Sequence, residues 1–384
     1  MLSKNINFKN FLLKKNTKKI RNNLTLLLRE KNEILRSLTP GYSNSYKKII
    51  VKKLKKYPKV KIIGMGGSTL GAKSIFNFLE HKIKKKFYFI DNLHGKTKYI
   101  DKKKCVNLII SKSGNTLETI SNSNVHIKTK DKNFIITENK KSYLSLLANK
   151  LKAEVINHNN FIGGRYSVLS EVGMLPAELM GLNIKKFKQL NNLVKNKKFI
   201  NSLILNVSNT LHFIKKKKFN SVILNYDERS ENFFKWYQQL LAESLGKKGK
   251  GIFPIISSMP KDNHSLMQLY LDGPKNNFFT FFYVNEKNAS KIINNQVLSS
   301  HKFLKNKNIN QIMFSQKLAT ENVFLNKNIP FRSFEVKSRD EKTMGELFCF
   351  FILETILIAK SLKVNPYNQP SVELIKQETK RILV

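Results

Sequence analysis

Short apolar runs punctuate the chain at intervals that suit a parallel sheet. Lys61 to Ile63, Phe87 to Ile90, Val106 to Ile110 and Phe134 to Thr137 are each brief, and the segments between them are long enough for crossover helices. The rhythm restarts with Ser221 to Tyr226 and Phe278 to Val284, after a polar helical stretch from Lys185 to Lys198. The pattern predicts two α/β domains in series, 42–185 and 186–362, preceded by a helical, peripheral segment over 1–41 and followed over 363–384 by a proline-broken turn and a last helix. The longest apolar run, Leu347 to Ala359, contains Glu354 and is too short to cross a bilayer, so it is expected as a core helix.

Composition narrows the class. The chain has 384 residues, 41% of them hydrophobic and 10% aromatic, which is enough apolar material for a large core. Its two cysteines, Cys105 and Cys349, sit in or beside apolar runs, which argues against a disulfide framework or a Cys-based metal site and for a reducing cytoplasm. The segment MLSKNINFKNFLLKKNTKKIRNN holds no apolar stretch of signal-peptide length, so export is not expected.

The net charge of +44, from 70 basic against 26 acidic residues, taken alone suggests nucleic acid or an anionic membrane as partner. The lysines, however, recur in every segment, in runs such as Lys52 to Lys56, Lys84 to Lys86 and Lys215 to Lys218, and are not gathered into one arm. With Asn, Ile and Phe abundant throughout, that scatter reads as a codon bias acting on solvated positions. Neither nucleic acid nor membrane is expected as a partner, although the positive field would steer a phosphorylated substrate.

Candidate chemistry begins at VNLIISKSGNTLET, Val106 to Thr119, where an apolar strand runs into a loop with Ser111, Lys112, Ser113 and Thr116 and then into a helix. Hydroxyls and free N–H groups at a helix start suit a phosphomonoester dianion without a metal. A second strand-to-helix turn, IIGMGGSTLGA, places Gly64, Gly66 and Gly67 before a helix expected to open at Ser68. It has neither the GxGxxG spacing of a dinucleotide site nor the GK[ST] of a P-loop, so a nucleotide or nicotinamide cofactor is disfavoured. In IGGRYS, Arg165 follows Gly163 and Gly164 and offers a cation that cannot lose its proton. In WYQQLLAESLG, Gln239 and Glu243 are four apart on one helix face among leucines, which makes Glu243 a candidate general base. His264, in MPKDNHSLMQL, stands between a polar turn and an amphipathic helix, and NPYNQPSVELIK places Gln369 just before a helix that carries Lys376. Each segment alone is compatible with an ordinary turn, cap or solvated face.

Together, and in this order, the blocks resemble the phosphoglucose isomerase family, whose members are built from two sugar-isomerase (SIS) domains; the likeness runs from about Lys61 to Lys376 and is sharpest in IGGRYS, the QxxxES pair and YNQPSVELIK. The resemblance implies an α/β fold of two SIS-type three-layer αβα domains with mainly parallel sheets, plus peripheral N- and C-terminal helices. It implies reversible isomerisation of glucose 6-phosphate and fructose 6-phosphate through a cis-enediolate, with Glu243 as the base, Arg165 stabilising the intermediate, and His264 and Lys376 assisting ring opening. Ser111, Lys112, Ser113 and Thr116 would hold the phosphate with Gly67 and Ser68 beside them, and Gly164, Gln239 and Gln369 would line the sugar. No cofactor or metal is implied, and a homodimer is, with His264 donated by the neighbouring subunit.

Three positions depart from the family pattern: Asn115 where a threonine is common, Ser371 where the tail has Gly or Ala, and Glu171 in the block after Arg165. Three readings stay in competition: an isomerase that also accepts mannose 6-phosphate, a non-catalytic sugar phosphate sensor on the same fold, and a basic nucleic-acid-binding protein, which tight binding surviving about 0.2 M salt would revive. Gln369 argues against the first, since dual-specificity relatives tend to have Thr there. Retention of Glu243, His264 and Lys376 argues against the second.

Overall fold

The computed structural model describes residues 2–13, 16–95 and 104–384. Among these, ten strands form two five-stranded sheets. The strands are β1 (Ile6–Lys9), β2 (Lys59–Gly64), β3 (Lys86–Ile90), β4 (Cys105–Ile110), β5 (Lys132–Thr137), β6 (Glu154–Asn157), β7 (Asn220–Asn225), β8 (Phe253–Ser258), β9 (Asn277–Val284) and β10 (Phe331–Val336). The first sheet has the order β3-β2-β4-β5-β6, with every pair parallel. The second has the order β1-β10-β9-β7-β8 and is parallel except for β1.

Burial on both faces explains the unbroken apolar runs. Ile63, Ile109 and Ile135 face one way, against Leu144 and Ala148 of the helix Tyr143–Leu151. Their neighbours Ile62, Leu108 and Phe134 face the other way, into a large core shared with Ile75 and Phe78 of the helix Leu70–Phe78 and continuing to Trp236 and Phe334. This is a parallel sheet with helices on each side, as the sequence predicts. The run Leu347 to Ala359 is the heart of a buried helix, Glu341–Ser361. Its Glu354 is only 1% exposed and tolerates burial because Arg332 pairs with it while Asn206 and the Tyr237 hydroxyl donate to it at 2.6 and 2.9 Å. No described helix is long and apolar enough to cross a membrane.

The N-terminal segment corrects the expectation of a purely helical periphery. The helices Lys18–Arg29 and Glu33–Ser37 are present, but Ile6–Lys9 is a strand that pairs antiparallel with β10 and closes one edge of the second sheet. Four residues of INFK are too few for a readable alternation, and the partner lies at the far end of the chain. Ile20, Leu24 and Leu27 also bury one stripe of the first helix in the core.

The chain order within the first sheet fixes where a ligand can sit. From β2 the connection runs outward to β3 on one side, whereas β4 lies on the other, so the loops after β2 and β4 diverge and leave a crevice beyond their carboxyl ends. Gly64 and Ile110 end these two strands in register. The helix Leu70–Phe78 packs on the helix Glu231–Leu245 of the second half, and the Ser74 hydroxyl donates to the Asn232 carbonyl at 2.8 Å, which brings the second half over the crevice.

Candidate active site

The crevice is a cleft of about 440 Å³. It is lined by Met65, Gly67, Ser68, Lys112, Ser113, Thr116, Glu138, Lys140, Gly163, Gly164, Arg165, Gln239, Glu243, Tyr367, Gln369, Val372, Glu373 and Lys376. Eleven of the thirteen residues singled out from the sequence are among these, drawn from five separate stretches of the chain.

After β2 the backbone makes a tight 3-10 turn over Gly66–Ser68, and the helix begins at Leu70, two residues later than the sequence suggests. Gly67 packs directly on the Gly164 carbonyl, which leaves no room for a side chain. After β4 the loop is shaped by its own hydroxyls. Ser111 is 1% exposed; its Oγ lies 2.9 Å from Thr116 Oγ1 and accepts the Gly114 N–H at 3.2 Å. Ser111 therefore braces the loop from beneath and does not line the cleft. Gly114 adopts φ +67 with Ser142 packed against it, a position no L side chain takes easily. Asn115 turns away to accept the Tyr143 N–H at 2.8 Å, tying the loop to the next helix. Ser113, Thr116 and the start of the helix Leu117–His126 face the cleft beside Lys112, whose ammonium donates to the Asn160 carbonyl at 2.8 Å and lies 3.4 Å from Glu138.

Arg165 is 2% exposed and fixed on every side. Its Nε donates to Ser244 Oγ at 2.9 Å, Nη2 donates to the carbonyls of Pro366 and Asn368 at 2.6 and 3.2 Å, and Nη1 donates to Glu243 Oε2 at 3.0 Å and Gln369 Oε1 at 2.8 Å. The Trp236 indole N–H in turn holds the Arg165 carbonyl at 3.0 Å. Beneath the guanidinium, burial pushes the Tyr166 hydroxyl up to about 12.

Glu243 sits in the last turns of the helix Glu231–Leu245. Besides Arg165 it receives Gln239 Nε2 on Oε1 at 2.7 Å, so both carboxylate oxygens are held while the group still faces the cleft. The Gln239 Oε1 is buried without a partner among the described residues. Lys247 caps the helix end by donating to the Glu243 and Ser244 carbonyls at 2.6 and 2.9 Å; burial and the Arg165 charge lower its pKa to about 8 against the opposing pull of Glu243.

The tail completes the rim. The helix Ser371–Leu383 buries none of its residues, and on it Lys376 pairs with Glu373 at 2.6 Å. His264 stands apart: it ends an exposed 3-10 turn after β8 and does not line the cleft. Glu138, Lys140 and Tyr367 line it but escaped the sequence reading. Tyr367 lay inside the quoted tail block, whereas Glu138 and Lys140 sit in the Lys- and Asn-rich stretch ENKKSY and gave no signal. A fixed guanidinium, an oriented carboxylate and a hydroxyl- and lysine-lined anion pocket on one cleft can remove a carbon-bound proton and stabilise the resulting oxyanion.

Comparison with known proteins points the same way. The family model of phosphoglucose isomerase matches residues 42–384. The chain is 32% identical over 352 residues to a glucose-6-phosphate isomerase of Methanocaldococcus jannaschii, covering 86% of each chain. It is 30% identical over 350 residues to that of Campylobacter jejuni, again covering 86% of each. In fold it is similar to a hypothetical protein of Thermus thermophilus, with TM-score 0.82 and 21% identity, covering 96% of this chain and 94% of that one.

Proposed function

Since the chain belongs to the phosphoglucose isomerase family, we propose that it interconverts glucose 6-phosphate and fructose 6-phosphate through a cis-enediolate formed between Arg165 and Glu243. One observation carries this reading. Both oxygens of Glu243 are held, by Arg165 and Gln239, while the carboxylate still faces a cleft that Lys112, Ser113 and Thr116 also line. A base, a fixed cation and an anion pocket in one cleft match a substrate with a carbonyl at one end and a phosphate at the other.

In the forward direction Glu243 takes the proton from C2 of the open-chain aldose, electron density moves onto O1 opposite the Arg165 guanidinium, a proton passes from the C2 hydroxyl to O1, and the same carboxyl returns its proton to C1 as the C2 carbonyl forms. Neither redox change nor net charge is left behind. Lys112, Ser113 and Thr116, with Gly67 and Ser68, hold the phosphate, and Ser111 supports their loop from behind. Gln239 and Gln369 hold sugar hydroxyls, and the Gly164 backbone lines the same wall. Lys376 and His264 share the proton transfers of ring opening, His264 coming from the partner subunit of a cytoplasmic homodimer. In the same reading the SIS units are 42–185 and 186–362, with β1 added to the second and the 363–384 tail closing the site.

The test is conversion of fructose 6-phosphate to glucose 6-phosphate by purified protein in a coupled assay with chelator, beside Glu243→Gln. Wild-type activity should persist and the variant should lose on the order of 10²–10⁴-fold in kcat, the usual contribution of general-base catalysis. A Glu243→Gln enzyme with undiminished turnover would remove the mechanism.

A further inference from the structure

A second cavity of about 480 Å³ is walled in part by Tyr42, His158 and Glu171 and by residues 157–161, which lead in the chain to Gly163, Gly164 and Arg165 of the cleft. Glu171, one of the three residues that depart from the family pattern, opens the helix Glu171–Leu179 and is fully buried. Its Oε1 meets His158 Nδ1 at 2.5 Å and accepts the Asn159 amide N–H at 3.0 Å, and its Oε2 accepts the Tyr42 hydroxyl at 2.9 Å. His158 is itself 3% exposed, and its Nε2 donates to the Ile162 carbonyl at 2.9 Å. With the Nε2 proton committed there, Nδ1 is left to the Glu171 carboxyl. Burial raises the Glu171 pKa, but the hydrogen bond and charge of His158 outweigh it and bring the carboxyl below its ordinary value.

This pair closes residues 158 to 162 into a ring. The chain leaves that ring directly into Gly163, Gly164 and Arg165, and from within it the Asn160 carbonyl holds the Lys112 ammonium at 2.8 Å. One buried carboxylate thus stands behind both the arginine beside Glu243 and the lysine of the anion loop. We propose that Glu171, through His158 and Asn159, is a positioning residue that sets the placement of Arg165 and Lys112 for the isomerisation. The proposal rests on the roles given to those two cations above.

Glu171→Gln tests it, because the amide keeps the shape and removes the charge. An amide that turns its NH2 to His158 Nδ1 leaves the Asn159 N–H without an acceptor, and one that keeps its oxygen there leaves Nδ1 unpartnered or the imidazole charged without a counter-ion, so the ring loses a tie either way. Displacement of Arg165 and Lys112 should raise KM for fructose 6-phosphate and lower kcat, together on the order of tenfold to a hundredfold in kcat/KM, with the melting temperature followed alongside. Glu171→Gln combined with His158→Asn should be no worse than the first alone, since the two act as one unit. Kinetics equal to wild type, or a lower melting temperature with KM and kcat of the folded enzyme unchanged, would overturn the proposal. If Glu171→Gln does not fold, Tyr42→Phe removes one donor from the same carboxylate and is read by the same criterion. Arg165→Lys is measured in parallel: if it too is silent, the active-site reading falls with the proposal, whereas an impaired Arg165→Lys beside a silent Glu171→Gln overturns the positioning role alone.

Discussion

Gly67 and Gly164 meet backbone to backbone: a Cβ on Gly67 would lie 2.2 Å from the Gly164 carbonyl carbon and 2.6 Å from the Arg165 nitrogen. The turn after β2 and the block that carries Arg165 are thereby locked at a distance that requires glycine at position 67. Neither neighbour is a flexible side-chain tip that can swing aside.

Gly67→Ala therefore forces the two segments apart. The expected cost is about 1–3 kcal/mol of stability, as for overpacking elsewhere. Activity should fall further than stability, because the displaced backbone is that of Arg165. Comparison of the urea midpoint with kcat/KM on the same preparation checks this; an alanine enzyme with wild-type values for both would show that the contact is not needed.

Arg165→Lys should be far from conservative. The guanidinium donates in five directions, to one carboxylate, one amide, two backbone carbonyls and one hydroxyl, and a single ammonium cannot reproduce that fork. A loss on the order of 10²–10³-fold in kcat is expected from removal of one oxyanion-stabilising group. Retention of fructose 6-phosphate binding by calorimetry would locate the loss in the chemical step.

His264 faces solvent outside the cleft of its own chain, so the ring-opening role proposed for it requires a second subunit. His264→Gln and Glu243→Gln should each be nearly inactive alone. Mixed, unfolded and refolded together in equal amounts, they should recover about a quarter of wild-type activity, because half of the dimers are hybrids and each hybrid has one site with both groups intact. No recovery in verified hybrid dimers would contradict donation across the interface.

Lys188 is 5% exposed, donates to the Ser37 carbonyl at 2.6 Å and to that of Leu169, and lies 5.1 Å from the Tyr42 ring centre. Burial lowers its pKa to about 7, against weaker opposite pulls from Cys349 and Glu171. Above that value the unfolded chain still binds this proton and the folded one does not, so folding gains as pH rises. Relative to Lys188→Met, the wild type should gain up to about 1.4 kcal/mol per pH unit between about pH 7 and about pH 9, with no such gain below pH 7. Urea unfolding of both proteins across that range measures it, and parallel curves would refute the buried neutral amine.

Fold class was legible because the central strands are buried on both faces and announce themselves as apolar runs. β1, β6, β8 and β10 were not. β8 contains Pro254, and β10 carries Arg332 and Glu335, polar residues whose burial depends on partners such as Glu354 and Lys317 elsewhere in the chain. The cleft residues were found by the spacing of Gly, Ser and charged groups, which is local. What spacing did not disclose is that Ser111 supports the loop from beneath, that Asn115 ties it to the next helix, and that Glu171 is buried behind His158. Each of those depends on a contact made only after the strands are laid side by side.

The pairing of β1 with β10 makes the second sheet a structure sewn from both ends of the chain, with the whole first sheet inserted between its pieces. During synthesis Ile6 leaves the ribosome long before the strand that will shelter it, since the whole first sheet is made between them. Until Phe331–Val336 arrives, β9 presents an unpaired edge, and the apolar face of INFK has nothing to cover it. Truncations that stop short of β10 should therefore aggregate rather than yield a smaller folded body, although they would retain every strand of the first sheet.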